Sequence, residues 1–228
     1  MKKPQLIISA AVLIATVLAS PAHAREDHQL WTGAGVSVKL SDKWRISQDW
    51  IARFSDKRNG LYEIEVATLA GYKFGKSITV AAGYVHNPQY SEGDFSVLER
   101  RAREQVTFDN VAAFAGGKLS ARIRAEQRWR ENADGVGWRL RPYLKYSLPF
   151  NKGSKTSLTL SNETFVNLNT TGFQRTEGFD RMRNLIAVNT SLAKSLSVEA
   201  GYLNQYGFVR DGDDTIDHVA SLALSLSL

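Results

Sequence analysis

The chain has 228 residues, no cysteine and a formal net charge of +6. The absence of cysteine excludes disulfide staples, so in an oxidising compartment stability must come from one large sheet or core. The length fits a single all-β domain behind a short leader, and nothing after the leader is long and apolar enough for a transmembrane helix.

The leader comes first. Lys2 and Lys3 precede an apolar run from Leu6 to Ala19, and Ala22-His23-Ala24 offers a small-x-small cleavage site. That is the anatomy of a secretory signal peptide cleaved after Ala24. As a membrane anchor the run falls short of the roughly 20 residues a helix needs to span a bilayer. No Cys follows the site, which excludes lipidation there. The chain therefore divides into a signal peptide, 1–24, and one β-domain, 25–228. Without Lys2 and Lys3 the charge is 27 basic against 23 acidic residues, or +4.

Period-two alternation then predicts eleven strands: 30–40, 44–54, 61–74, 77–86, 98–114, 119–130, 137–148, 156–166, 181–192, 196–208 and 216–228. The clearest is Leu119–Arg130, whose odd positions are apolar except Gln127 and whose even positions are almost all charged. Successive strand side chains point to opposite faces, so one face suits hydrocarbon and the other is a ladder of Arg and Glu. Short turns are expected at 41–43, 75–76, 115–118 and 193–195, and longer polar connections near 55–60, 87–97, 131–136, 167–180 and 209–215. Trp44, Tyr72, Phe74, Tyr146 and Phe150 lie towards the short-turn ends. Trp50, Phe54, Tyr62, Tyr84, Trp129 and Trp138 lie towards the long-loop ends. Mid-strand apolar positions such as Val66, Ala70, Ala82 and Ala200 are smaller. Two aromatic girdles, asymmetric turns and an export signal predict an all-β fold: an antiparallel transmembrane β-barrel of about 10–12 strands in the bacterial outer membrane. Single-chain bacterial barrels normally have an even number of strands. Eleven candidates leave open a split strand, one outside the barrel, or an unusual parallel closure.

The opposite phase carries Arg45, Asp49, Arg53, Glu63, Glu65, Lys73, Arg101, Arg103, Arg122, Arg124, Glu126, Arg128, Arg130, Arg139, Arg141, Lys145, Glu163, Arg181, Arg183 and Glu199. A charge on the lipid side costs about 2–4 kcal/mol for Arg or Lys at the midplane, so this row is expected to line the lumen. Two readings compete. A cationic wall attracts small anionic solutes into a narrow, anion-preferring, porin-like channel. Alternatively, Arg and Glu pair across a lumen that is narrow at about ten strands and plug it.

Catalytic chemistry has little to stand on. After the leader only His28, His86 and His218 remain, on the lipid-facing phase of their strands or just before them near the rim, where a barrel-surface lipid hydrolase places its dyad. Yet no Ser is specifically matched to His86 or His218 as a nucleophile would require. An outer-membrane lipid-modifying enzyme, an acyl hydrolase or acyltransferase, is the alternative reading. A soluble periplasmic β-domain is a further one. Asp211-Gly212-Asp213-Asp214 with Asp217 lacks the spacing and terminal Glu of a calcium loop. Gly33 and Gly35 precede no helix and form no nucleotide fingerprint. No catalytic residue, cofactor or metal is assigned. The expected partners are outer-membrane lipids, the barrel-insertion machinery during assembly and small anionic solutes, with no nucleic acid.

Several segments together resemble a known family. They are Leu30-Trp31-Thr32-Gly33-Ala34-Gly35-Val36 with Ser41-Asp42-Lys43-Trp44, Arg139-Leu140-Arg141-Pro142-Tyr143, Ser161-Asn162-Glu163-Thr164-Phe165, Gly178-Phe179-Asp180-Arg181-Met182-Arg183 and Leu196 to Tyr206. Across nearly all of the chain after the leader this resembles the "domain of unknown function 2490" family. The resemblance implies a Gram-negative outer-membrane β-barrel with no assigned activity, and it carries over no catalytic residue. Barrel-insertion signals commonly end in an aromatic residue, whereas this chain ends Leu226-Ser227-Leu228 with its apolar alternation kept.

Overall fold

The computed structural model describes residues 24–228, so the predicted leader lies outside the described residues save Ala24. Eleven strands follow in order: β1 (Arg25–Lys39), β2 (Trp44–Ser55), β3 (Gly60–Phe74), β4 (Ile78–Ser91), β5 (Asp94–Phe114), β6 (Gly117–Arg130), β7 (Gly137–Pro149), β8 (Thr156–Asn167), β9 (Gly178–Ser191), β10 (Leu196–Gly207) and β11 (Thr215–Ser227). Each predicted segment is one of them. They close into a barrel in which sequence neighbours pair antiparallel. The expected even count gives way to eleven. An odd ring makes its first and last strands run the same way. β1 and β11 accordingly pair in parallel, from Arg25 opposite Thr215 to Ser37 opposite Ser227. Closure leaves no unpaired edge.

Three local features depart from the sequence reading. The predicted long connection at 87–97 is a tight hairpin: β4 and β5 run on to Ser91 and Asp94, joined by Glu92 (φ 54°) and Gly93 (φ 90°). Successive left-handed residues match the right-handed twist of a two-residue turn. Pro88, which lacks an N–H to donate, falls in a gap of the β3–β4 ladder between Val66–His86 and Glu63–Gln89. There the Asn87 side chain donates to the Ile64 carbonyl at 2.8 Å, so the strand continues past the proline. The β2–β3 connection, 56–59, is also short. Long loops at that end are therefore confined to 131–136, 168–177 and 208–214.

Tyr62 is the third departure. The β2–β3 register shifts between Arg53 and Phe54, which pair with Glu63 and Leu61 and leave Tyr62 as the extra residue. Such a bulge upsets the strict alternation. Tyr62 is buried, its hydroxyl donating to Gln29 Oε1 at 2.8 Å, and does not join an outer girdle.

Most large apolar side chains lie on the outside of the barrel. Among the described residues thirty large hydrophobics are exposed, including Trp50, Tyr84, Ile123, Trp138, Ile186 and Leu222, against twelve buried apolar side chains. At the short-turn end Tyr72 packs edge-on against Trp44 and Phe74, and Tyr146 stacks on Phe114. The inward face is charged over β5–β8 and apolar in two patches. One comprises Ala67, Leu69, Ala81 and Val85 on β3–β4; the other comprises Trp31, Leu203 and Val219 on β1, β10 and β11.

Candidate functional site

The charged interior is built from i, i+2 repeats on strands that face one another. Glu99, Arg101 and Arg103 share the inward face of β5; Arg122, Arg124, Glu126 and Arg128 share that of β6; Arg139 and Arg141 share that of β7. Register places Arg103 and Arg139 on either side of Glu126. Opposite charges directly across strands attract and like charges repel. The like pairs Arg101–Arg128 and Arg124–Arg141 are also in register, and carboxylates from neighbouring positions interleave between most of these guanidinium groups.

Four carboxylates organise the network. Glu126, with no exposed surface, accepts from Arg103 Nε at 3.0 Å, Arg139 Nη2 at 2.6 Å and Arg141 Nη1 at 2.8 Å. Glu99 is equally buried and accepts from Arg101 Nε at 2.6 Å, Arg128 Nη2 at 2.9 Å and Arg130 Nη2 at 3.3 Å. Glu65 bridges Arg101 and Arg103 at 3.0 and 2.8 Å, with Arg53 at 3.6 Å. Glu163 bridges Arg122 and Arg141 at 2.6 and 2.9 Å. Arg53 also bonds Glu63, and Arg101 also bonds Asn87. The chain of charge-assisted bonds thus runs from β2 through β3 and β5–β7 to β8. The Phe165 ring, 2% exposed, sits under guanidinium carbons of Arg139, Arg141 and Arg183 at 5.2, 4.3 and 4.6 Å, cation–π distances for desolvated Arg.

Space remains at both ends. A cavity of about 270 Å³ at the short-turn end is lined by serines, among them Ser37, Ser47, Ser197 and Ser225, with Asp49 and Lys194. One of about 360 Å³ at the long-loop end is lined by nine arginines and five carboxylates. The two share no lining residue. The 168–177 loop folds over the second end. Gln174, 3% exposed, accepts from Arg128 Nη1 at 2.9 Å and donates to the carbonyls of Trp138 and Asn169 at 3.1 and 2.8 Å.

The family model described as "Protein of unknown function (DUF2490)" matches residues 28–216. The chain belongs to this family. An uncharacterized protein of Methylorubrum extorquens (strain AM1) is similar, 29% identical over 228 residues, covering 96% of each chain. No solved structure matches this DUF2490 chain.

Most of the residues predicted to line the lumen come together in the network: Glu63, Glu65, Arg101, Arg103, Arg122, Glu126, Arg128, Arg139, Arg141 and Glu163 all form ion pairs. Arg181 pairs with Asp180 at 2.7 Å. Arg124 and Arg183 have no carboxylate within ion-pairing distance among the described residues; they donate to Gln105 and Gln205. Arg45, Asp49, Lys145 and Glu199 lie nearer the short-turn end of this DUF2490 barrel, outside the network. Sequence reading missed Glu99, although it shares the phase of Arg101 and Arg103. It also missed Phe165, on the phase of Glu163, and Asn87, which continues the inward phase of Ala81 and Val85 one step past the predicted strand end at 86. Gln174, a loop residue, carries no periodic signal and was missed too.

The outward face is not wholly apolar. Gln48 accepts from Thr68 at 2.5 Å, Glu104 from Gln127 at 3.3 Å, and Asn184 from Asn162 at 2.8 Å, so these outward polar groups satisfy one another in pairs. His28 and His218 stack with ring centroids 5.4 Å apart across the parallel closure, and His218 Nδ1 bonds the Tyr202 hydroxyl at 2.7 Å. Among the described residues no serine hydroxyl hydrogen-bonds a histidine ring, and Asp214, in the weak calcium-like stretch, is engaged by Val209 N and Tyr206.

Proposed function

We propose that this protein is an outer-membrane β-barrel whose interior is closed by its own side chains, acting without a catalytic step and without a through-channel. The observation that carries the reading is the network around Glu126. Its guanidinium and carboxylate groups are buried and cross-linked from β2 round to β8 between the two end cavities. A conducting pore keeps its lining charges hydrated and available to solutes. Here most of the arginines are engaged by internal carboxylates. The exposed apolar girdle on the outside supports the membrane half of the reading, because so much exposed hydrophobic surface marks contact with lipid or protein. The expected partners are outer-membrane lipids and, during assembly, the insertion machinery. The narrow anion channel ranks second: Arg124 and Arg183, unpaired by carboxylates, are what favours it.

Two measurements test the proposal together. Fractionation should place the protein with outer membranes, with faster gel migration before boiling than after. Purified protein in planar bilayers should be silent. Release by osmotic shock with an unchanged band on boiling overturns the membrane reading; discrete, anion-selective conductance steps overturn the closed lumen.

A further inference from the structure

The long-loop-end cavity is more than the space left above the plug. Resting on the closed-lumen reading, we propose that it binds a small oxyanion, a carboxylate or phosphate, in the fork of Arg181 and Arg183. These two lie at i and i+2 on β9, so both project inward, and both line the cavity. Each engages its protein partner through Nε alone: Arg181 donates to Asp180 at 2.7 Å and Arg183 to Gln205 at 2.7 Å. Their Nη groups make no hydrogen bond among the described residues. In register Arg183 stands opposite Glu163, yet Glu163 is committed to Arg122 and Arg141 on the other wall. The Arg183 guanidinium is left between two aromatic faces, its carbon 4.6 Å from both the Trp31 and the Phe165 ring centroids.

The acidic groups facing this cavity are already occupied, Glu65 by Arg101 and Arg103. Asp27 accepts from Ser55 at 2.7 Å, Asp180 pairs with Arg181, Asp217 accepts from Gln205, and Glu63 pairs with Arg53. Arg58, on the β2–β3 turn, also lines the cavity and makes no ion pair among the described residues; its guanidinium lies 4.6 Å from the Tyr62 ring. Planar guanidinium forks select acceptors with two oxygens at fixed spacing, which carboxylates and phosphates present and halides do not. A volume of about 360 Å³ admits such a group with its immediate substituent.

The test titrates folded full-length protein in detergent with inorganic phosphate, and separately with succinate, against chloride at matched ionic strength. Saturable heat on calorimetry is expected with the oxyanions and none with chloride. Arg183→Gln should weaken phosphate binding at least about tenfold, the loss of a bidentate charge-assisted pair. Arg183→Lys, which keeps the charge and loses the fork, should fall in between. Arg124→Gln, which removes an arginine without a carboxylate partner that does not line this cavity, should bind like wild type. Heat-modifiable migration checks that each variant is folded. Repeating the titration in phosphatidylcholine vesicles with and without phosphatidic acid separates a free anion from a lipid headgroup: prior occupancy by the headgroup abolishes the phosphate signal only in the acidic vesicles. Wild-type protein that responds to phosphate as to chloride, or a folded Arg183→Gln protein that binds as well as wild type, overturns the site. Conductance steps with phosphate binding intact would instead sink the closed lumen and spare the site.

Discussion

At the scale of single residues, Glu126 shows how completely the interior depends on charge pairing. It has no exposed surface and accepts from three arginines on the strands either side of its own. Removing one partner of a buried ionic cluster leaves uncompensated charge, at a cost of about 3–5 kcal/mol. Glu126→Gln should therefore lower the unfolding midpoint by about that equivalent, read from urea titration of the heat-modifiable form. Glu104 is the opposite case. It is exposed on the outward face of β5, opposite Ala82 and Ala125, with only Gln127 to bond it. If lipid covers that face, Glu104→Leu should stabilise the barrel in bilayers by about 1 kcal/mol, less than the range for a basic residue at the midplane. A destabilised or aggregating Glu104→Leu protein would count against lipid there. The inward phase of Glu126 was legible in the sequence, whereas Glu104, on the opposite phase of β5, was not singled out there. What was not legible was that Glu126 would find three partners, because only register says who stands opposite.

At the scale of elements, alternation revealed every strand, since period two is a local property that needs no partner. Irregularities were missed because they belong to pairs of strands. The bulge that turns Tyr62 inward exists only in the β2–β3 register, and the extension of β4 past Pro88 depends on Asn87 reaching a carbonyl of β3. Close backbone approach is a further property of pairs. A Cβ on Gly83 would lie 1.9 Å from the Thr68 carbonyl oxygen and 2.7 Å from Leu69 Cα. Backbone cannot yield as a flexible side chain does, so Gly83→Ala should disrupt the β3–β4 ladder, costing about 2 kcal/mol or more. The expected readout is a reduced fraction of the fast-migrating folded band. A full fast-migrating band with an unchanged urea midpoint would show that the two strands can separate to admit a methyl group.

At the scale of the whole molecule, eleven strands put the start of β1 and the end of β11 at opposite ends of the barrel. With no native cysteine, orientation can be read from single introduced thiols. Lys57→Cys and Arg210→Cys mark the long-loop end, and Lys152→Cys marks the short-turn end. A membrane-impermeant maleimide on intact cells should label the first two and spare the third. Labelling of Lys152→Cys alone would invert the barrel, and labelling of all three only after lysis would remove it from the cell surface.

The sequence by itself determined that this protein is all-β, that its strands each have an apolar and a polar face, and which arginines and glutamates share the polar one. Those facts follow from spacing along one chain. The tertiary structure decided how the ring closes, since parity is a property of the complete strand set: an odd count requires the parallel β1–β11 pair. It also decided that most of the arginine row is spent on internal carboxylates and that Arg183 is not. Ion pairing is set by cross-strand register and by reach across the lumen, and neither distance exists until the barrel has closed.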